Sequence, residues 1–256
     1  MNSTPPQNLA PPAPRRVAMI QSNYIPWKGY FDIIHDVDLF IFFDDLQYTT
    51  ADWRNRNKIK GAQGPTWISV PAGDSRNRLI CDVELKDHSW QAKHWRSLQH
   101  SYGKCAHFER YQPYFEQIYL GQQWESLSAL NHSLIQHISR EFLGIRTEFA
   151  DSRIYNAEGQ KLERLIDLAV KAGATTYISG PAARDYIIPE RFSELGIELL
   201  WKDYSGYPEY SQRFPPFEHG VSILDLLFNT GPDATWYIWG WRDERNEAAS
   251  RKFGSS

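Results

Sequence analysis

At 256 residues, with 41% hydrophobic and 23% charged side chains, the chain is long enough to bury a core as one large domain or two small ones. A formal charge of −3, spread over 28 basic and 31 acidic residues, excludes a bulk attraction to duplex nucleic acid or an anionic membrane, so any cationic site must be local. Two cysteines, Cys81 and Cys105, fit no metal-ligand spacing and cannot supply a disulfide framework, which points to a reducing cytoplasm, and no apolar run is long enough to span a bilayer.

Residues 1–15 are rich in proline and small polar residues and lack the apolar segment of a secretory signal, so a disordered leader is expected there. Strands are predicted at RVAMI (16–20), LFIFF (39–43), TWISV (66–70), TTYIS (175–179) and IELLW (197–201), all short apolar runs rich in β-branched or aromatic residues. Helical periodicity fills 88–145, with a cap at Ser89 and a stop at Gly144, and resumes in AEGQKLERLIDLAVKAG up to Gly173. This alternation predicts an α/β fold with a mainly parallel central sheet and flanking helices, Rossmann-like, in a single domain over 16–232 with a helical insertion or subdomain over 88–145. The tail, 233–256, is aromatic first and polar last, and is expected to dock briefly and then lose order.

Several stretches carry chemistry. QSNYIPWKGYFDII (21–34) follows the first strand and gathers Gln21, Asn23, Tyr24, Trp27 and Gly29 into a strand-to-helix connection, the usual ligand position in an open α/β sheet. Asp44 and Asp45 end the second apolar run, where paired acids can hold a cation, orient a hydroxyl or act as a base, or merely cap a solvated turn. In WRNRNKIK, Arg54, Arg56, Lys58 and Lys60 recur at period two, so an extended chain would offer a cationic stripe suited to a diphosphate, or a charged edge strand. Trp53, Asn55, Asn57 and Ile59 would take the other face.

YISGPAARDYI sets Ser179, Gly180 and Pro181 at a strand-to-helix turn whose free amides favour an anion. In HGVSILDLLFNTG, Ser222, Asp225 and Asn229 form one polar stripe on an otherwise apolar helix, facing either a polar cavity or a neighbouring loop that they hold. Among eight histidines, His94 shares a helix face with Trp90 and Leu98, which suits either a base of tuned pKa or a satisfied core histidine. No metal site is expected, and neither an activated thiol nor a GxSxG, GxGxxG or P-loop pattern is present to indicate a covalent intermediate, a nicotinamide or an ATPase site.

Together and in this order, IQSNYIPWKGYFDII, FFDDLQYTTADWRNRNKIK, YISGPAARDYI and VSILDLLFNTGP resemble the WbqC-like family, collinearly from about residue 17 to 232. The resemblance implies a bacterial cytoplasmic protein of O-antigen and lipopolysaccharide biosynthesis. It also marks two departures: Ser22 stands where the family commonly has proline, which implies a looser turn or a different ligand contact, and Ile20 stands where relatives carry His or Met.

The expected activity is transfer of an acyl or aminoacyl group to the amine of a nucleotide-linked amino sugar. No cofactor is expected; an activated acyl donor, on a carrier or free, is the co-substrate. Asp45 or His94 would take the proton beside Asp44, while Arg54, Arg56 and Lys58 hold the diphosphate. Gln21, Asn23 and Tyr24 would line the sugar or acyl pocket, Trp27 or Trp53 would stack, and the amides after Ser179 would stabilise an oxyanion. Asn55, Gly180, Ser222, Asp225 and Asn229 complete the expected binding set. The alternatives are a metal-dependent glycosyl- or nucleotidyltransferase using Asp44 and Asp45, and a non-catalytic sugar-nucleotide-binding protein; no nucleic-acid partner is expected.

Overall fold

From Arg16–Ile20 (β1) the chain passes through Lys28–His35 (α1) to Leu39–Phe42 (β2), then leaves the sheet for a hairpin, Arg56–Gly61 (β3) and Gly64–Ser69 (β4). Three helices follow, Ser89–Tyr102 (α2), Phe108–Leu120 (α3) and Leu127–His137 (α4), before Glu148–Asp151 (β5), Lys161–Lys171 (α5), Thr176–Ser179 (β6), Pro189–Ser193 (α6), Glu198–Trp201 (β7) and Ile223–Thr230 (α7). The structure is a computed structural model and describes residues 13–242, 244 and 245.

The five strands β5-β2-β1-β6-β7 form one sheet in that order, every pairing parallel. Strand alternation divides the core. Ala18, Phe40, Phe42 and Ile178 face α1, α2–α4 and α7, whereas Val17, Met19, Leu39, Ile41 and Tyr177 face α5 and α6. The helices of 88–145 thus share an apolar core with one face of the sheet.

TWISV is a strand, as expected, but it does not belong to the parallel sheet. It lies in β4, antiparallel to β3, and its residues are mostly exposed rather than buried on both sides as a central parallel strand must be. The remaining edge of the sheet is filled by β5, whose sequence EFAD is too short and polar to stand out. Near the C-terminus the tail docks on α1: Trp239 stacks on His35 with ring centroids 4.0 Å apart, and Arg242 pairs with buried Asp32, which Lys202 also reaches at 2.8 Å. The expectations for residues 1–12, 243 and 246–256 fall outside the described residues. Among the described residues no helix is long and apolar enough to cross a membrane.

The strand order reverses about β1, with β2 on one side and β6 on the other. In doubly wound sheets the crevice at such a reversal, beyond the carboxyl ends of the strands, is where ligands bind. Here it lies between Gln21 and the Ser179–Gly180 turn.

Candidate functional site

A cleft of about 250 Å³ opens beside the carboxyl end of β1, lined by Asn23, Pro26, Trp27, Trp53, Asn57 and Gly220. Trp27 sits at the N-cap of α1, and its ring folds back over Gly29; a Cβ there would lie 2.7 Å from ring atoms Cε2 and Cη2, so glycine is what lets the ring lie flat. The ring meets Tyr204 and Tyr207 edge-on, at 5.3 and 6.0 Å between centroids. Gly180 approaches the Tyr204 hydroxyl, so the turn after β6 stands behind the same wall.

The loop between is strained. Ile25 has φ of 38°, a region that β-branched residues rarely enter. Asn57 holds it there by donating its side-chain amide to the carbonyls of Tyr24 (3.1 Å) and Ile25 (2.9 Å), and the Ile223 N–H donates to the Pro26 carbonyl at 2.9 Å. Strain maintained by surrounding bonds clusters at ligand clamps.

Trp53, the opposite wall, is backed by Trp67 at 5.1 Å, and Trp67 in turn carries the Arg56 guanidinium at 4.3 Å and the Lys58 ammonium at 5.3 Å. The two rings are 43% and 40% exposed, unusual for tryptophan outside a binding surface. The expected cationic stripe is split, however. The Asn55 N–H donates to the Asp52 carbonyl in a turn, so β3 begins only at Arg56 and Arg54 leaves the line. Arg54 instead donates to Asn23 Oδ1 at 2.6 Å, and its Nε is buried with no partner among the described residues. Lys60 is buried, its ammonium held by Gln212 and the Pro216 carbonyl. Arg54 thus stands against Asn23 of the cleft wall, with its guanidinium also 3.8 Å from Asp52, while Arg56 and Lys58 flank Trp67 on the hairpin face opposite Asn57.

Other expected site residues sit in buried networks. Tyr24 is fully buried, with its hydroxyl 2.8 Å from His94 Nδ1 and 2.6 Å from the Tyr119 hydroxyl. Burial pushes His94 down to about 4, so it is neutral at pH 7 and sits in an aromatic core of Trp90, Tyr24 and Tyr119. Asp44, also fully buried, accepts the Ser22 N–H, the Ser22 and Ser128 hydroxyls (each 2.7 Å) and His132 Nε2 (2.8 Å). Burial raises its pKa, but these donors, His132 foremost, outweigh it and hold the carboxyl below the usual carboxylate range.

Asp45 is bound by Ser152 and Arg164, so the two carboxylates do not converge on one point. Ser22 makes neither a looser turn nor an open ligand contact: it is fully buried and spends both donors on Asp44.

The stripe on α7 holds a loop. Ser222 caps the helix, Asp225 accepts from Tyr210 (2.7 Å) and Gln212 (2.8 Å), and Asn229 accepts the Arg213 N–H at 3.2 Å. Lys28 packs against the same loop, its ammonium 4.8 Å from the Tyr207 ring centre and 5.5 Å from that of Tyr210. Asn55 is likewise structural, donating to the Val70 carbonyl at 2.8 Å. Ser179 is buried, and the Pro181–Asp185 segment is a single 3-10 turn rather than a helix start. Gln21 keeps a partly exposed side chain and accepts the Tyr30 hydroxyl on its carbonyl at 3.0 Å.

The cleft therefore unites Asn23, Trp27 and Trp53 of the expected set with Asn57 and Gly220, which lie outside that set, and Arg54 joins it through Asn23. His132 carries no signal in sequence because its partner, Asp44, lies 88 residues earlier, and Trp67 gains its place only through the hairpin that sets it against Trp53. Among the described residues no three His, Cys, Asp or Glu side chains group as a metal site. Burial pushes both thiols, Cys81 and Cys105, up to about 11.

The model of the WbqC-like protein family matches residues 21–237. An uncharacterized protein of Mycobacterium tuberculosis, Rv1507c, is 46% identical over 226 residues, covering 88% of this chain and 97% of the relative. No solved structure matches the chain.

Proposed function

The chain belongs to the WbqC-like protein family, and we propose that it is a cytoplasmic transferase of surface-polysaccharide (O-antigen) biosynthesis that acylates the amine of a nucleotide-linked amino sugar. The observation that carries this reading is the cleft beside the carboxyl end of β1, walled by Trp27 and Trp53, with a guanidinium, Arg54, bound to Asn23 of its lining. Flat aromatic walls suit a nucleobase or the apolar face of a sugar, and a guanidinium fork suits a diphosphate. Arg56 and Lys58 extend the positive rim around Trp53 and Trp67. Asn23 is a neutral group of the kind that orients sugar hydroxyls, while Asn57 fixes the loop beside it.

The acyl donor brings its own activation, so the protein's task is to hold the amine against the carbonyl and to take a proton. Asp45 is committed to Arg164 and His94 to Tyr24, so neither is free for that proton. The test is turnover: the protein, an amino-sugar nucleotide and a panel of acyl and aminoacyl thioesters are incubated and the nucleotide sugar is weighed by mass spectrometry. An acyl mass increment that requires the protein and vanishes in Arg54→Gln supports the reading. Tight nucleotide-sugar binding with no increment from any donor would replace it with a binding protein.

A further inference from the structure

His132, on α4, lies flat against Phe42, with ring centroids 3.8 Å apart and planes 14° apart, and its Nε2 meets Asp44 Oδ2 at 2.8 Å. The same carboxylate takes the Ser22 N–H and the hydroxyls of Ser22 and Ser128, so it is ringed by donors and acts as an acceptor only. The proton in the His132 contact therefore sits on Nε2, and the lone pair of the neutral ring on Nδ1. No hydrogen bond among the described residues reaches Nδ1, and the side chain is 18% exposed.

A ring clamped between an apolar face and a buried carboxylate, with its other nitrogen free, is oriented for proton transfer. Its helix reaches the cleft side through the preceding residue, Asn131, which donates to the Arg54 carbonyl at 2.9 Å, and Arg54 in turn binds Asn23 of the cleft wall. We propose that His132 is the general base of the transfer, accepting at Nδ1, and that Asp44 is its positioning residue. This rests on the acyl-transfer reading above.

In that step the acceptor nitrogen bonds to the carbonyl carbon of a thioester donor and the C–S bond breaks. The proton shed by nitrogen passes to Nδ1, and the imidazolium returns it to the departing thiolate. The products are an amide and a thiol, and the ring is neutral again. His219 is the rival, since it precedes Gly220 of the cleft wall, but no hydrogen bond orients its ring among the described residues.

Two readouts test this on the full chain: ¹⁵N shifts of the His132 ring, and pH–rate profiles of wild type, His132→Gln, Asp44→Asn and His219→Gln with an amino-sugar nucleotide and a thioester. The charged groups near the ring are Asp44 and the Asp151–Arg153 pair, joined at 2.7 Å, so the pair adds little net charge across neutral pH. The expected neutral ring carries its proton on Nε2. His132→Gln should lower the rate by about 100-fold or more, change acceptor affinity by less than about three-fold, and abolish the acidic limb of the profile. Asp44→Asn should lower the rate through the wrong tautomer.

A proton on Nδ1 overturns the proposal, as does a His132→Gln enzyme with undiminished rate and limb, or a loss carried by His219→Gln alone. The right tautomer with no turnover by wild type for any donor defeats the transfer reading itself, and the base role falls with it.

Discussion

Ser22 and Asp44 are joined twice in the protein interior, once through the Ser22 N–H and once through its hydroxyl, each at 2.7 Å. Both bonds end on a charge, and bonds of that kind contribute about 1.5–3 kcal/mol each. Ser22→Ala should destabilise the protein by about 2 kcal/mol, and Ser22→Pro, which loses the N–H as well, by more. Urea unfolding at pH 7 measures both. A proline variant as stable as wild type would mean that Asp44 finds another donor.

Gly29 gives Trp27 its place. Alanine there drives a Cβ into the indole, so the ring must swing out of the cleft wall. Gly29→Ala should weaken nucleotide-sugar binding by about ten-fold or more while the fold survives with a loss of about 1–3 kcal/mol. Calorimetric titration alongside a thermal melt separates the two effects.

Asn57 holds the strained carbonyls of Tyr24 and Ile25. With Asn57→Ala the φ of 38° at Ile25 loses its support, and the loop should relax to an ordinary conformation. Binding should fall more steeply than stability. Hydrogen exchange of residues 23–27 should accelerate selectively; unchanged exchange would show that the loop geometry is set elsewhere.

His94 makes the protein acid-sensitive. Its folded pKa, near 4, lies below the ordinary 6.5, so the unfolded chain binds more protons between these values and stability falls as pH drops through them. At pH 5 the contribution is about 2 kcal/mol relative to pH 7. His94→Gln should be less stable than wild type at pH 7 but lose less between pH 7 and pH 5. Equal acid losses in the two proteins would mean that His94 titrates normally and is more open than its burial implies.

The strands of the sheet were legible where they are apolar on both faces, as at RVAMI and LFIFF. Glu148–Asp151 was not, because an edge strand of four residues needs no apolar code, and TWISV is legible as a strand but not as half of a separate hairpin, because a hairpin strand shows the same residue types as a sheet strand. The cleft's Asn23, Trp27, Trp53 and Arg54 could be read from local pattern. Asp45, His94 and Asp225 could not be placed, since the partners that occupy them, Arg164, Tyr24 and Tyr210, lie 119, 70 and 15 residues away. His132 carries no local signal at all; only the fold brings it to Asp44, 88 residues earlier.

The most direct measurement is calorimetric titration of the wild type and of Trp53→Ala and Arg54→Gln with nucleotide sugars, the matching free nucleotides and the free amino sugars. Saturable binding of an amino-sugar nucleotide is expected, tighter than to either fragment and weakened by about ten-fold or more, roughly 1.4 kcal/mol, in each variant. Binding of no nucleotide sugar, or binding that both variants leave untouched, would contradict a nucleotide-sugar site in the Trp27–Trp53 cleft.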